Sequence, residues 1–320
     1  MRERVHRSRL HRDPALVSLA LQQRDLVLLR DLFYFRFAET PTLARTALWA
    51  SGGRGAQYFS KRLSQLWRAG YVERFTPAFS RYIHGARHFV YTIGSAKASA
   101  AARTGIRPDC IPEDRWREVL AEAAPARLRA REALLAIGID GAEIDRVLHN
   151  NTVTALRFIA GEISGVKHHA LAADALSSIW FRTRMRGRQV EDVHPDGMAD
   201  LSFREPEPHR HRDLLSVKGL VPIRPDCLFR IGPTRYALEA ETGTSSAAKI
   251  QLKLRRYARL LDFARDNLHV LTVCAHGGHA AMIASARRNL SVVASARIHV
   301  FLPDMDEIHD GAHSACESVI

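Results

Sequence analysis

Three carboxylate residues lie close together between residues 221 and 257 of this chain. The first of two predicted strands, Ile223–Ile231, carries Asp226 and ends at a Gly-Pro pair, and the second, Tyr236–Thr242 with the sequence YALEAET, carries Glu239 and Glu241. Because side chains alternate along a strand, Glu239 and Glu241 are predicted to share one face. Carboxylates this close repel one another and are costly to bury without a cation. Oxygen ligands favour magnesium or manganese, so we predict one divalent metal site at these three residues.

A helix is predicted directly after the second strand, from Ser246 to Asp262. Its apolar residues recur at the spacing of one helical face. They are Ile250, Leu254, Tyr257 and Leu261. Lys249, Lys253 and Arg256 form a basic stripe beside that face. The helix therefore carries lysines one or two turns from its start, close to the predicted carboxylates.

The order of these residues resembles the core of the PD-(D/E)xK nuclease superfamily. The resemblance is carried by Pro225, Asp226, Glu239, Glu241, Gln251 and Tyr257. That superfamily usually has a lysine where this chain has Glu241, and Lys253 or Lys249 on the following helix could reach the same space. A degenerate, non-catalytic version of the fold is the alternative, because Pro-Asp and Glu-x-Glu pairs also occur in ordinary turns and strands.

The resemblance implies metal-dependent nuclease chemistry for this segment. The three carboxylates would hold Mg²⁺ or Mn²⁺, and the ion would activate water and stabilise charge on the scissile phosphate. Lys253 would steady that phosphate or lower the pKa of the attacking water. Gln251 and Tyr257 would be supporting residues.

Positive charge is concentrated at the N-terminal end of the chain. The net charge is +13, and residues 1–110 contain 19 Lys and Arg against 7 Asp and Glu, a balance of +12. The rest of the chain therefore balances to +1. Such asymmetry indicates that the basic segment binds a polyanion. Nucleic acid fits best, because the sequence has no amphipathic anchor or lipidation signal for a membrane surface.

Three helices and two strands are predicted in this basic segment. The helices are at 16–35, 41–49 and 54–69, and the strands are at 71–75 and 87–94. A turn at residues 38–40 is expected between the first two helices, and Gly70 ends the third. Three helices followed by two strands in this order predict a winged helix-turn-helix.

The third helix is the expected DNA-reading element. Phe59, Leu63 and Leu66 define its packed face, which leaves polar residues on the outward face. Those outward residues are Arg54, Gln57, Tyr58, Lys61, Arg62 and Gln65. Such side chains read base edges and phosphates in a major groove. In the wing, the expected phosphate contacts are Arg74, Arg81, Arg87 and His88. An ordinary solvated helix face would explain the same polar residues without DNA.

Four regions are expected in an α+β protein. Residues 1–110 form the winged-helix DNA-binding domain, 111–165 a helical spacer, 166–302 a nuclease-like domain and 303–320 a polar tail. The nuclease-like domain is predicted to have the αβββαβ order of a restriction endonuclease. Its strands are expected at 199–205, 223–231, 236–242, 268–275 and 296–302.

The two halves together resemble the replication-relaxation family of plasmid-borne proteins, which includes the C-class mobilisation relaxases. The most specific parts are Arg224-Pro225-Asp226, Leu238–Gly243 and Lys253–Tyr257. The resemblance covers about residues 20–302 and implies site-specific DNA binding and metal-dependent nicking of one strand at an origin. An acidic residue at the position of Glu241 is not out of place in that group. The alternative is a transcriptional or replication regulator whose sheet domain serves only dimerisation or partner binding.

Double-stranded DNA is the expected partner, together with a second copy of the chain and other DNA-processing proteins. No run of residues approaches the roughly 18–20 apolar residues of a membrane span, and the basic first residues lack the apolar stretch of a secretory signal. We therefore expect a cytoplasmic protein. The four cysteines contain no Cys-x-x-Cys pair, which indicates neither a zinc ribbon nor a disulfide framework.

Overall fold

The computed structural model describes residues 18–50, 56–75, 89–93, 127–159, 164–208, 210–216, 219–263 and 266–302. The chain divides into two compact units, Met1–Ser177 and Ser178–Ile320. Both α-helices and β-strands are present, as the sequence predicts. No helix in these ranges is long and apolar enough to cross a membrane.

The N-terminal unit starts with a helix, a short strand, two more helices and two strands. These are α1 (Gln23–Phe35), β1 (Phe37–Glu39), α2 (Thr40–Ala50), α3 (Ala56–Arg68), β2 (Val72–Phe75) and β3 (Val90–Ile93). The strands form an antiparallel sheet in the order β1-β3-β2. Apolar side chains from the helices and the sheet, among them Leu32, Leu63 and Ile93, are fully buried. Three further helices follow, namely α4 (127–135), α5 (Gly141–Ile159) and α6 (Ser164–Met185), which crosses into the second unit.

The junction between α1 and β1 has an unusual backbone. Arg36 ends α1 with a φ of 62°, a left-handed conformation that L-residues other than glycine seldom adopt. Its side chain is buried, and its Nε donates a hydrogen bond to Oδ1 of Asn151 in α5 over 2.9 Å. The conformation is therefore held by a contact with a residue far away in the sequence.

The prediction of a turn at residues 38–40 is wrong. Ala38 and Glu39 belong to β1, which pairs with β3 in the register Phe37 to Thr92, and Thr40 is the first residue of α2. All three residues of β1 are buried. A strand of three residues is too short to show the alternation on which strand prediction depends.

The C-terminal unit is built on a five-stranded sheet. Its elements are, in chain order, β4 (Val190–Pro195), β5 (Phe203–Arg204), β6 (Leu220–Val221), β7 (Cys227–Ile231), β8 (Thr234–Glu241), α7 (Ala247–Phe263), β9 (Leu268–Cys274), α8 (Gly277–Arg287), α9 (Val292–Arg297) and β10 (Ile298–Phe301). The strand order is β10-β9-β8-β7-β4. Strand β7 is antiparallel to both neighbours, whereas β8, β9 and β10 are parallel. Strands β5 and β6 form a separate antiparallel pair.

The first predicted strand of this unit, at 199–205, is wrong in extent and position. Only Phe203 and Arg204 form a strand, and they pair with β6 outside the main sheet. The edge of the main sheet is β4, whose sequence VEDVHP is charged, partly exposed and interrupted by a bulge between Glu191 and His194. An exposed edge strand with a bulge lacks a regular apolar alternation, so β4 could not be predicted from the pattern of residues.

The last predicted strand, at 296–302, is shorter in the structure. Helix α9 continues to Arg297, and β10 covers only Ile298–Phe301. The strand predicted at Ile223–Ile231 is also shorter, because β7 begins at Cys227 and Asp226 lies just before it. Strands β8 and β9 agree with their predicted positions to within two residues. The predicted apolar face of α7 is buried at all four positions against residues of the sheet, such as Ala237 and Val270. This packing fixes the orientation of α7 over β8.

Candidate functional site

The β7–β8 hairpin brings Asp226 next to Glu239. Cys227, the first residue of β7, pairs with Leu238, and Asp226 directly precedes it. The charge of Asp226 acts on Glu239, so the two carboxylates are neighbours. The backbone N–H of Asp226 donates to the carbonyl of Leu238 over 2.9 Å, and the N–H of Ala240 donates to Asp226 Oδ2 over 2.7 Å. The Asp226 side chain is thus fixed at the edge of the hairpin.

Glu239 and Glu241 face α7, where Lys253 lies between them. The Lys253 ammonium donates to Glu239 Oε2 over 2.9 Å and to Glu241 Oε1 over 2.6 Å. The two glutamate side chains are only 4% and 5% exposed, whereas the lysine side chain is 40% exposed. One cation therefore bridges two buried carboxylates.

Tyr257 holds the other oxygen of Glu239. It lies one helical turn after Lys253 and is buried, and its hydroxyl donates to Glu239 Oε1 over 2.5 Å. Burial and the neighbouring Glu239 carboxylate raise the pKa of Tyr257 well above its ordinary value, so it remains a hydrogen-bond donor. We refer to Asp226, Glu239, Glu241, Lys253 and Tyr257 as the carboxylate cluster.

Glu239 and Lys253 differ in how readily they exchange a proton near neutral pH. Burial, followed by repulsion from Asp226, raises the pKa of Glu239 to about 7, although Lys253 and Tyr257 oppose this shift. Burial lowers the pKa of Lys253, but the charges of Glu239 and Glu241 and their hydrogen bonds outweigh burial, and the net shift is upward. Lys253 is therefore charged at neutral pH, while Glu239 can exchange a proton there.

The three carboxylates do not surround a common point as metal ligands would. In the ranges that the structure describes, no group of three or more His, Cys, Asp or Glu side chains has the geometry to hold a metal ion. The Lys253 ammonium lies between Glu239 and Glu241 instead. The cluster still consists of oxygen donors, the type that suits Mg²⁺ or Mn²⁺. Asp226 and Glu239 are close enough for the charge of Asp226 to raise the pKa of Glu239.

Gln251 does not approach the carboxylate cluster. It is exposed, and it lies two residues from Lys253, which is a rotation of about 200° around the helix. Lys249 is one turn before Lys253 and is also exposed. Of the two lysines that the sequence offered, Lys253 is the one that contacts the carboxylates.

Two histidines without a predicted role lie beside the end of β8. The N–H of Ala275 donates to the carbonyl of Glu241, and the chain then continues into α8. A Cβ added to Gly243, whose φ is +91°, would lie 3.2 Å from the His276 ring and 3.7 Å from the His279 ring. The parallel pairing of β8 with β9 explains this proximity, and the sequence motif HGGH alone did not indicate it.

Helix α3 exposes only some of the predicted DNA-reading residues. Tyr58 and Lys61 are exposed, and Gln65 is partly buried. Arg62 is directed inward: its guanidinium forms an ion pair with the buried Asp25 and is only 12% exposed. It also donates to Gln65 Oε1 over 3.0 Å. Arg62 therefore ties α3 to the start of α1.

Arg74 also packs within the N-terminal unit. Its guanidinium carbon lies 3.6 Å from the centroid of the Trp67 ring and 4.8 Å from that of Phe89. Burial lowers the pKa of Arg74. Sequence reasoning missed Arg24, whose guanidinium lies 4.6 Å from the centroid of the Tyr58 ring and also bonds the Tyr58 hydroxyl.

Four predicted contacts fall outside the described residues. They are Arg54, Arg81, Arg87 and His88. Gln57 belongs to α3, but its side chain is not described. The roles expected for these five residues stay predictions.

Comparison with known proteins places the chain in one family. The family model described as replication-relaxation matches residues 29–270, which is well over half of the chain and includes the carboxylate cluster. No curated protein and no solved structure gave a significant match. The chain belongs to the replication-relaxation family.

Proposed function

We propose that this protein binds a specific duplex DNA site of a mobile element and nicks one strand there with a divalent metal ion. The observation that carries the proposal is the position of Lys253, whose ammonium reaches two carboxylates next to Asp226. Two acids and one lysine at the edge of a hairpin are the groups that metal-dependent phosphodiester cleavage requires.

The architecture of the C-terminal unit supports a nuclease-like core. In the order of the chain, α6 is followed by the three main-sheet strands β4, β7 and β8, then by α7 and β9. This order is compatible with a nuclease-like core in which β4 takes the place of the strand predicted at 199–205 and the β5–β6 pair is inserted after it. Asp226 lies directly before the second of these strands, Glu239 and Glu241 lie on the third, and Lys253 lies on the helix after them.

Each residue of the carboxylate cluster has a distinct part in the proposed reaction. Asp226 and Glu239 would hold Mg²⁺ or Mn²⁺, which when bound supplies an activated water and neutralises charge on the phosphate. Glu241 holds Lys253 so that its partly exposed ammonium can meet a phosphate oxygen. Tyr257 keeps Glu239 in one orientation. Glu241 thus acts on the lysine rather than on the metal.

The N-terminal unit would select the DNA site. The proposal of a winged helix-turn-helix is supported by the order α1-β1-α2-α3-β2-β3, by the sheet order β1-β3-β2 and by the net charge of +12 of residues 1–110. Helix α3 would read the major groove. Because Arg62 and Arg74 are held inside the unit, base and phosphate contacts would come from Tyr58, Lys61 and the other predicted residues.

One observation favours the second candidate function, a regulator without cleavage. Lys253 already bridges Glu239 and Glu241, so the cluster has a stable arrangement without a metal ion. The sheet unit would then serve a second copy of the chain or another DNA-processing protein.

A nicking assay separates the two functions. Supercoiled plasmid carrying the origin of the element that encodes the protein is incubated with it and Mg²⁺ or Mn²⁺. We expect open circular product from the wild type and none from Asp226→Asn, while both bind the origin equally in a gel shift. Asp262→Asn makes the same chemical change on an exposed acid of α7 that bonds Ser291, and it should still nick. Origin binding by the wild type without any nicking would establish the regulator.

A further inference from the structure

Three chain segments meet where the strands β8 and β9 of the five-stranded sheet end. We call this end of the strands an edge of the sheet, in distinction from the edge strand β4. The parallel strands β8 and β9 end there at Glu241 and Cys274, and the antiparallel strand β7 begins there after Asp226. Helix α7 also begins at this edge, because only residues 242–246 separate it from β8. The carboxylate cluster therefore lies at this edge of the sheet rather than in the middle of a face.

Two exposed cations lie just outside the carboxylate cluster at the same edge. Arg224 is two residues before Asp226, on the segment that leads into β7. Lys249 is one helical turn before Lys253, and residues four apart on a helix lie on the same side. Each cation is thus exposed and precedes a residue of the cluster on the same chain segment. Together they flank it from the strand side and from the helix side.

Neither cation is neutralised by an acid within the described ranges. The pKa of Asp200 is lowered mainly by hydrogen bonds from Ser202, and Arg224 adds only a smaller charge effect without forming a salt bridge. The side-chain contact of Ser246 with Lys249 involves only the backbone of the lysine, whose N–H donates to the Ser246 hydroxyl.

Other arginines of this unit are paired. The pairs are Arg230 with Glu191 and Asp192, Arg235 with Asp266, Arg255 with Asp213 and Arg259 with Glu205. Acids therefore offset part of the positive charge of this unit, and Arg224 and Lys249 are among the cations for which the described ranges show no salt bridge. Arg224 and Lys249 differ in this way from the arginines that tie elements together.

The C-terminal unit carries more positive charge than the balance of +1 after residue 110 indicates. Residues 178–302 contain 20 Lys and Arg against 12 Asp and Glu, while residues 303–320 contain 5 acids and no Lys or Arg. The near-neutral balance of the sequence after residue 110 conceals this excess. A surplus of eight positive charges suits a surface that meets a polyanion.

We propose that Arg224 and Lys249 bind the DNA phosphates on either side of the one that enters the carboxylate cluster. They are positioning residues, and through them the C-terminal unit makes its own contacts to the DNA backbone. The inference rests on the proposed function, because it assigns the substrate strand of that site. Such contacts carry no sequence information but fix the register of the strand over the site.

The test measures DNA affinity at several salt concentrations without any cleavage. Fluorescence anisotropy measures how tightly the full-length Arg224→Ala/Lys249→Ala variant binds a short duplex of arbitrary sequence in the presence of EDTA. Each lost phosphate contact reduces the slope of log affinity against log salt by about 0.7–0.9. On a duplex, where each contact contributes about 0.9, we therefore expect the slope to fall by about 1.8 for the two contacts and Arg224→Lys/Lys249→Arg to restore it.

The matched control is Arg186→Ala/Arg288→Ala. Both arginines are exposed, and they lie at the opposite edge of the sheet, because Arg186 precedes β4 and Arg288 follows the last turn of α8. An equal slope for the test and control variants would overturn the inference. This binding test does not depend on nicking, because EDTA removes the metal. If the slope falls as expected but the wild type does not nick DNA in the presence of metal, only the proposed function is refuted.

Discussion

Replacing Lys253 by methionine tests whether one ammonium stabilises the buried carboxylates. The substitution leaves Glu239 and Glu241, which are 4% and 5% exposed, without their cation and next to Asp226. Removing one partner of a fully buried ion pair costs about 3–5 kcal/mol. The lysine is 40% exposed, so solvent screening reduces the effect. We expect a loss of about 2 kcal/mol in unfolding free energy at pH 8.

The loss should depend on pH in a defined direction. The folded pKa of Glu239, about 7, is above the ordinary value of 4.5, so the stability linked to its protonation is present below about pH 4.5. It is lost as the pH rises through 7. Without Lys253 the carboxylate is still harder to ionise, so the variant should recover much of its stability at pH 5.5, where Glu239 binds a proton.

Urea unfolding at pH 5.5 and pH 8.0 measures this effect, and hydrogen exchange of the peptide covering β8 localises it to the C-terminal unit. A loss of about 2 kcal/mol corresponds to a midpoint shift of roughly 1 M urea. Lys249→Met is the control, because it removes the same charge one helical turn away without touching a carboxylate. Equal midpoints for the two variants at both pH values would refute the reasoning.

Two further predictions concern the N-terminal unit. Arg62→Met should lower its unfolding free energy by about 3 kcal/mol in urea, because Asp25 is 1% exposed and loses its cation; an unchanged midpoint would contradict the role of Arg62 as the partner of Asp25. Burial, followed by the charge of Asp174, raises the pKa of Glu39 to about 7. Stability should therefore decline as pH rises from 4.5 through 7, and Glu39→Gln should weaken that decline in urea midpoints measured from pH 5 to 8. A decline as steep as that of the wild type would contradict this assignment.

Local periodicity accounts for the parts of the C-terminal unit that the sequence predicted well. Glu239 and Glu241 share a face because strand side chains alternate, and Lys253 and Tyr257 share a face because they are four residues apart on a helix. Both relations lie within one element. The short connection between β8 and α7 leaves few ways to join these elements, so the lysine was expected near the acids.

The parts that the sequence could not predict depend on contacts between distant segments. The outward position of Arg62 on α3 follows from helical spacing alone, but Asp25, which is 37 residues earlier, draws its guanidinium inward. Whether Glu241 meets a metal ion or Lys253 depends on how α7 packs over the sheet. Strand β4 was missed because an irregular, charged edge strand has no pattern of its own.

The hydrogen bond from Arg36 to Asn151 limits how the N-terminal unit can be divided. A fragment that stops after β3 would keep the left-handed backbone at Arg36 but lose the amide oxygen that its buried guanidinium contacts. Thr42 and Arg45 of α2 similarly bond Asp174 in α6. These hydrogen bonds join α1 and α2 to helices beyond β3 within the compact span Met1–Ser177, so a fragment that ends at β3 should be less stable than one that ends at Ser177.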